Sequence, residues 1–232
     1  DMTQILTPSD LETLSVEEIN QRVDQAFTYD DYQWQLNNNI HIKEKNRAEG
    51  IEKILYKCSA CKVEVKMTSH LHIIICESCG KTYEMDTLGR LKATEGQTEF
   101  THIPDWYRWE REEVRKEVKA GTYHIEKEVD IDTHPNSTGF YRFGRGKLVH
   151  NMDGFTISGK WNGEEFLLRK TPLENTSTHL EFNYYGKGDA LDISTSNDSY
   201  WIFSHDKDYL VTKIHFAVEE LYKVNLAKTK SS

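Results

Sequence analysis

The sequence predicts an α+β protein in which helices and a small cysteine-containing module precede a larger antiparallel β-domain. The first observation behind this prediction is that all four cysteines of the chain fall between residues 58 and 79, in two C-x-x-C pairs. The second is that apolar residues recur at helical spacing on both sides of this segment. The third is that the pattern changes to the strand period of two from Thr122 onward. Helices and strands that are segregated along a chain are typical of the α+β class.

Composition sets the broad class of the protein. The chain has 232 residues, of which 37% are hydrophobic, and its formal net charge of −9 disfavours a general affinity for nucleic acid or an anionic membrane. No apolar run approaches the roughly 18 residues that would span a bilayer, and the N-terminus "DMTQILTPSD" lacks the regions of a secretory signal. We therefore expect a cytoplasmic protein. Because the chain begins at Asp1, we also expect a fragment or a processed piece.

Residues 1–50 are predicted to form a helical segment followed by a linker. In the stretch "LSVEEINQRVDQAF", Ser15 and Glu18 have the spacing of a capping box at a helix N-terminus. We expect the aromatic residues that follow to pack against the cysteine module or the next helix, although an exposed binding patch is an alternative. The apolar stripe of the helix would be Val16, Ile19, Val23, Ala26 and Phe27, and the aromatic residues are Tyr29, Tyr32 and Trp34.

The two C-x-x-C pairs predict a four-thiolate zinc site in residues 51–93, and the pattern resembles a zinc ribbon. Cys58, Cys61, Cys76 and Cys79 would be the ligands, with "VEVKM" and "LHIII" as two strands between the pairs. Gly80 follows the last cysteine, where a tight turn often needs a positive φ. Because four thiolates complete the shell, the zinc would be structural, and His70 and His72 would be strand residues. Two disulfides or free thiols are the alternative, which the expected intracellular character of the chain disfavours.

The charge of this module bears on a role with nucleic acid, which is common among zinc ribbons. Residues 51–93 carry seven Lys/Arg and five Asp/Glu, and this is the only segment with a positive balance. Four thiolates around one zinc ion would add about two negative charges and cancel it. The sequence therefore makes nucleic acid an unlikely partner.

The remaining segments are a connecting helix in residues 94–121 and a β-domain in residues 122–228. In "IPDWYRWEREEVRKEVKAG", Pro104 suits the first turn and Gly121 suits the stop. The buried stripe would be Trp106, Trp109, Val114 and Val118, whereas the charged pairs from Glu110/Arg111 through Glu117/Lys119 would form a solvated face. Seven short strands follow, and they end in "YLVTKIHFAVEELYKV", a helix with Val211, Ile214, Val218, Leu221 and Tyr222 on one face.

Seven strands and one C-terminal helix resemble a pleckstrin-homology-like barrel that the helix caps at one end. Domains of this kind serve as docking platforms, some for phosphoinositides and many for peptides. The candidate phosphate-binding turn is "YRFGRGK", with Arg142, Arg145 and Lys147 beside two glycines. A solvated hairpin tip is the alternative, since the acidic domain would not be drawn to an anionic surface. Any lipid-headgroup contact should therefore be weak.

The order of several sequence blocks resembles the C-terminal extension of some bacterial 1-acyl-sn-glycerol-3-phosphate acyltransferase family proteins. The resemblance runs from about residue 12 to residue 226, and the cysteine segment is its most specific part. It implies a parent enzyme that acylates lysophosphatidate or a related lysophospholipid at the inner face of the membrane. The blocks are "YDDYQWQ", "IKEKNRAEGIEKILYKCSAC", "CESCGKTYEM", "EFTHIPDWYRWERE" and "VTKIHFAVEELY".

The catalytic motifs that the resemblance implies are absent from the sequence. The family uses H-x-x-x-x-D, with the histidine as general base and the aspartate orienting it, but none of the ten histidines is followed by Asp at the fifth position. The phosphate-binding F-P-E-G-T block is also missing, and "TEGQTEF" resembles it only in part. We therefore expect a non-catalytic docking or regulatory region whose partner is the missing catalytic domain or another protein. The alternative is a stand-alone zinc-ribbon adaptor for nucleic acid or the transcription apparatus.

Overall fold

The computed structural model describes residues 2–135, 139–161, 163–204 and 210–230 as a mixed α+β structure with two antiparallel sheets. The helices are α1 (Pro8–Thr13), α2 (Val16–Phe27), α3 (Asp31–Asn37), α4 (Ile103–Lys119) and α5 (Val211–Lys230). The small sheet contains β1 (Met67–His70), β2 (Ile73–Cys76), β3 (Thr82–Met85) and β4 (Leu91–Ala93). The large sheet contains β5 (His124–Thr133), β6 (Tyr141–Asn151), β7 (Gly154–Trp161), β8 (Glu164–Lys170), β9 (His179–Glu181), β10 (Ala190–Ser194) and β11 (Ser199–Ser204).

The N-terminal helices are defined by their caps and not by burial. The predicted capping box of α2 is confirmed, because Ser15 accepts the N–H of Glu18 and the Glu18 carboxylate accepts the N–H of Ser15. A second capping box starts α1, which the sequence reading missed. No residue of α1 or α2 is buried, and Val16 and Phe27 are 67% and 79% exposed. The apolar stripe of α2 is therefore present but uncovered.

The aromatic residues after α2 divide between packing and exposure. Tyr32 lies on α3, a helix that was not predicted. It packs against the small core, which is the apolar cluster around Tyr83 and Trp106. The prediction of packing is wrong for Tyr29 and Trp34, which are 64% and 47% exposed. Of the three aromatic residues, only Tyr32 faces inward on α3, beside the buried Gln35.

The small sheet differs from the predicted two-stranded hairpin. It has the order β1-β2-β3-β4, with each strand antiparallel to the next. Most of "VEVKM" is not a strand, because Val65 has a φ of 55° and the ladder starts only at Met67. A β-branched residue at positive φ interrupts an extended backbone, which explains why alternation alone misplaced this strand.

The large sheet has the predicted seven strands but is open, with the order β8-β7-β6-β5-β11-β10-β9. The closed barrel that the sequence predicted is not observed, because in the described ladders β8 and β9 are the two edges. Between them the chain passes through a 3-10 turn, Pro172–Glu174, and β9 is only three residues long. Alternation of side chains reports a buried face, but it carries no information on whether two edge strands meet.

Helices α4 and α5 pack against each other and contribute to the core of the large sheet, and one buried residue of α4 was unexpected. The apolar faces are confirmed at Trp106, Val114 and Val118 of α4 and at Val211, Ile214, Val218 and Leu221 of α5, whereas Trp109 and Tyr222 are only half-buried. The predicted first residue of the last helix, Tyr209, lies outside the described residues. Glu110 was predicted on the solvated face of α4 but is fully buried. Its position in the helical repeat, four residues after Trp106, directs it toward the core.

Glu110 and Trp106 hold the backbone N–H and the backbone carbonyl of one residue, Lys57. The Lys57 N–H donates to Glu110 Oε1 at 2.7 Å, and Trp106 Nε1 donates to the Lys57 carbonyl at 3.0 Å. Directly before Lys57, Tyr56 is buried in the large core, which is the apolar cluster formed by the large sheet with α4 and α5. Directly after it, Cys58 is buried in the small core. The clamp on Lys57 therefore fixes the point at which the chain passes from one core to the other.

Burial of Glu110 predicts a particular pH dependence. Desolvation raises the pKa of Glu110 well above its usual value, although the N–H of Lys57 opposes this effect. Between the unfolded pKa of about 4.3 and the raised folded pKa, only the unfolded state releases this proton. The free energy of unfolding should therefore fall as pH rises, by at most about 1.4 kcal/mol per pH unit. Replacement of Glu110→Gln should flatten this slope in urea denaturation from pH 4.5 upward.

The control for this prediction is Glu165→Gln, which removes a carboxylate that is 81% exposed. That variant should keep the wild-type slope. An unchanged slope in the Glu110→Gln protein would show that the carboxyl is already ionised in the folded state.

Candidate metal centre and apolar groove

The two C-x-x-C pairs form two similar turns, which we call the first knuckle (residues 58–62) and the second knuckle (residues 76–80). In each turn the N–H of the residue after the second cysteine donates to the carbonyl of the first, from Lys62 to Cys58 at 2.9 Å and from Gly80 to Cys76 at 2.8 Å. Both donors have positive φ, 66° for Lys62 and 75° for Gly80. The expectation for Gly80 is confirmed, and a non-glycine residue adopts the same conformation in the first knuckle.

The knuckles bring four sulfur atoms together. The ligand atoms of Cys58, Cys61, Cys76 and Cys79 all lie within 4.8 Å of one another. Across the knuckles, the Sγ atoms are 3.8 Å apart for Cys58 and Cys79 and 3.7 Å apart for Cys61 and Cys76. The cysteines are not joined in disulfides. The group could hold a metal ion, with Cys58 and Cys76 on its buried side and Cys79 exposed.

The pKa values of the thiols differ with burial, and the ionised form is favoured at the half-buried Cys61. Burial raises the pKa of the Cys58 thiol to about 12, against the N–H groups of Cys61 and Ala60 that lower it. Burial also raises the pKa of Cys76, against the N–H groups of Cys79 and Ser78. For Cys61 burial is again the largest influence, but the Val63 N–H and the neighbouring thiols outweigh it and lower the pKa to about 7. Backbone donors thus surround the sulfurs, as a thiolate site requires.

The two histidines between the pairs lie outside this cluster. His70 is the last residue of β1, and its side chain is 81% exposed. His72 is half-buried in the turn before β2. The cysteine group consists of the four sulfurs without a histidine.

The basic residues predicted to grip phosphate do not lie in a turn. Arg142, Arg145 and Lys147 are inside strand β6, so their placement at a hairpin tip is wrong. Each base is paired with a carboxylate of β5. Arg142 Nη2 and Arg145 Nε lie 2.5 Å and 4.0 Å from Asp130 Oδ1, and Lys147 Nζ lies 2.5 Å from Glu126 Oε1. An irregularity in the β5–β6 register between Ile131 and Asp132 accompanies this pairing.

Several lysines of the cysteine module are also engaged. Lys57 Nζ is 3.4 Å from Glu64 and 3.5 Å from Glu113, and Lys81 Nζ is 3.5 Å from Glu99. The ammonium of Lys62 lies 4.2 Å from the centre of the Trp109 ring. These contacts leave no positive stripe formed by Lys57, Lys62 and Lys81.

An apolar groove lies where the small-sheet module meets the large-sheet module. Its volume is about 280 Å³, and its eight lining residues include three aromatic side chains but no charged one. One wall comes from α3, α4 and the segment before Lys57, and the other comes from β9 and α5. The lining residues are Tyr32, Ile54, Ile103, Pro104 and Tyr107 on the first wall, and Leu180, Phe182 and Thr212 on the second.

Polar contacts at the edge of the groove hold its two walls together. Thr212 Oγ1 donates to the Lys53 carbonyl at 2.6 Å, and Lys53 Nζ lies 2.6 Å from Asp189 Oδ1. Tyr107 packs against Phe216 with a ring separation of 4.6 Å and contacts both cores. The sequence reading missed this groove, because its walls come from positions as distant as 32 and 212. The only signal was the excess of aromatic residues after α2.

No family model matches the chain, and comparisons with curated proteins and with solved structures find no match. In the described part of the chain, no helix combines the length and apolar character that crossing a bilayer requires.

Removal of one sulfur ligand should unfold the small sheet and leave the large sheet folded. If the site is loaded with zinc, its apparent binding energy of about 10–16 kcal/mol is largely folding energy. Cys76→Ser should therefore lose the metal and unfold the small sheet while the large sheet remains. Elemental analysis should give one zinc per wild-type chain, and limited proteolysis should cut the variant within residues 51–93.

Ser78→Ala is the matched control for this experiment, because Ser78 is an exposed residue of the same knuckle. It should keep both zinc and protection from protease. Wild-type protein without metal, or with a Cys58–Cys61 disulfide after reduction, would contradict the prediction.

The pairing of the basic residues predicts weak lipid binding at most. In co-sedimentation with phosphatidate-containing vesicles, any binding should be lost at high salt and after combined replacement of Arg142, Arg145 and Lys147 by Ala. Each base near an anionic surface contributes about 1 kcal/mol of attraction. The repulsion between the neighbouring acidic residues and the surface reduces this value. Lys160→Ala, an exposed lysine of β7, is the control. Tight binding in high salt, or binding that survives the triple replacement, would place the contact elsewhere.

Proposed function

We propose that this chain is a non-catalytic docking or regulatory module of an acyltransferase of phospholipid biosynthesis that acts on lysophosphatidate or a related lysophospholipid. In this proposal a structural zinc ribbon and a pleckstrin-homology-like β-domain hold a binding groove between them. The groove is the observation that carries the proposal. The acyltransferase parent rests on the sequence blocks that resemble the extension of that family.

The sulfur geometry supports zinc as the metal. Zinc–sulfur bonds of about 2.3 Å in tetrahedral arrangement place the sulfurs about 3.8 Å from one another. The distances of 3.8 Å and 3.7 Å between the knuckles agree with this value. Four cysteine ligands leave no open position for a substrate or a reactive water, so the zinc would stabilise the module without taking part in a reaction.

The character of the groove favours docking of an apolar partner surface. Its lining has no charged residue, and Thr212, whose hydroxyl donates to Lys53, has no free hydroxyl proton to offer a ligand. A volume of about 280 Å³ is near the lower end of small-molecule pockets. It suits a few apolar side chains of a protein partner.

Nucleic-acid binding finds less support. A zinc ribbon that binds a phosphate backbone needs unpaired Lys or Arg on one face. Lys57 and Lys81 instead lie beside carboxylates, and Lys62 lies over the Trp109 ring. The paired lysines thus disfavour a stand-alone adaptor for nucleic acid.

The proposal predicts that the purified chain has no acyltransferase activity. The sequence lacks the H-x-x-x-x-D pair and the phosphate-binding block, and its four cysteines would be consumed by the metal. Transfer from acyl-CoA or acyl carrier protein to lysophosphatidate should stay at the background rate, with a competent acyltransferase as positive control. Product formation at ordinary enzyme rates would refute the non-catalytic role.

A further inference from the structure

We propose that residues 94–100, "TEGQTEF", form a strap that positions the two cysteine knuckles for their metal, with the Glu99 carboxylate as the positioning group. This inference rests on the structural zinc site of the proposed function and adds residues outside the sulfur cluster to it. The same stretch resembles a phosphate-binding block in part, but in the fold its side chains and carbonyls face the two knuckles.

The strap is fixed at both ends. At its start, directly after strand β4, the Thr94 N–H donates to the Thr82 carbonyl at 3.0 Å. At its end, the Phe100 ring packs against the Trp106 ring of α4, with ring centres 6.0 Å apart. Because both ends are held, the fold sets the position of Glu99, which lies one residue before Phe100.

On one side, the Glu99 carboxylate is connected to the first knuckle. Tyr83 OH donates to Glu99 Oε2 at 2.5 Å, and Ser59 Oγ lies 2.7 Å from Tyr83 OH. A tyrosine hydroxyl has a single proton, so the proton between Ser59 and Tyr83 comes from the serine. Ser59 directly follows Cys58 in the first knuckle, and both Ser59 and Tyr83 are buried. The hydrogen bond between the knuckle and Tyr83 is therefore shielded from water.

On the other side, the same carboxylate faces Lys81, the residue that directly follows the second knuckle. Lys81 Nζ lies 3.5 Å from Glu99 Oε1. The same ammonium donates to the carbonyls of Glu95 and Gln97, at 3.1 Å and 2.5 Å. All three partners of Lys81 belong to the strap. Glu99 thus contacts a group tied to each knuckle, with Oε2 toward the first and Oε1 toward the second.

The charge of Glu99 separates a positioning role from a simple electrostatic effect. Four thiolates around one zinc ion carry about two negative charges. By Coulomb's law alone, a neighbouring carboxylate repels this group, and its removal would tighten metal binding. Positioning has the opposite sign, because without Glu99 the two knuckles lose a common contact and can move relative to each other. Groups that orient metal ligands typically change the metal affinity about 10–100-fold.

The test is the zinc dissociation constant of the full chain, measured by competition with a chromophoric chelator. Glu99→Ala removes the carboxylate. Tyr83→Phe removes only the hydroxyl and keeps the ring, whose centre lies 5.1 Å from that of Trp106. Each variant should raise the dissociation constant about 10–100-fold. The double variant should bind about as weakly as the weaker single variant, because both changes break the same chain of hydrogen bonds.

Glu84→Ala is the matched control, because Glu84 is an exposed residue of β3 and carries the same charge as Glu99. It should bind zinc as tightly as the wild-type protein. Cobalt(II) supplies a readout that a loss of general stability would not change, since its ligand-field absorption depends on the arrangement of the ligands. At saturation with cobalt(II), Glu99→Ala and Tyr83→Phe should have shifted absorption bands, whereas Glu84→Ala should have the wild-type spectrum.

An unchanged or tighter zinc affinity in Glu99→Ala would overturn the positioning role, and so would cobalt(II) spectra identical to that of the wild-type protein. If Tyr83→Phe fails to fold, Glu99→Ala decides the question, since Glu99 is only half-buried. These outcomes leave the zinc site itself standing. Wild-type protein that binds no metal would overturn the site and this inference with it, and acyltransferase activity would overturn the docking proposal whatever the metal affinity.

Discussion

The structure depends on the clamp that Trp106 and Glu110 place on the backbone N–H and carbonyl of Lys57. Burial of a backbone N–H and a carbonyl without partners would cost about 1–3 kcal/mol for each group, and α4 supplies a partner for both. This lets the chain pass between two cores without an exposed linker. It also explains why a carboxyl group is retained in an apolar environment, where its neutral form is favoured by burial. The same helix then packs against α5 and contributes Val114 and Val118 to the large core.

The sequence predicted those features whose information is local. The spacing of the cysteines indicated a single cluster, the Ser15/Glu18 pair marked the start of α2, and the change of period at Thr122 indicated a sheet. In each case the relevant residues are close together in the sequence, so their spacing largely determines which atoms lie near each other in the fold. Features that depend on pairing between distant segments were mispredicted or missed. The large sheet is open, since closure depends on where β8 and β9 lie relative to each other.

Charged residues were the other source of error, because their role depends on what they face in the fold. Glu110 was assigned to a solvated face because charged residues surround it on α4, but its position in the helical turn takes precedence over its charge. Arg142, Arg145 and Lys147 were read as a phosphate site because they stand beside glycines. Their opposite strand carries Glu126 and Asp130, which pair with them and offset most of their charge. A basic cluster in a sequence is therefore informative only when the facing strand is known.

The cysteine cluster and the groove are physically linked by the short segment of residues 53–58. In this segment Ile54 lines the groove, the Lys53 carbonyl accepts a hydrogen bond from Thr212, Tyr56 enters the large core and Cys58 joins the sulfur cluster. The large core takes one residue, Tyr56, from this segment and its other buried residues from elsewhere, whereas the groove loses a wall when the segment is disordered. A metal bound by the four cysteines would thus stabilise the binding surface more than it stabilises the β-domain. This gives a reason for a structural metal in a chain whose larger domain has a sufficient core of its own.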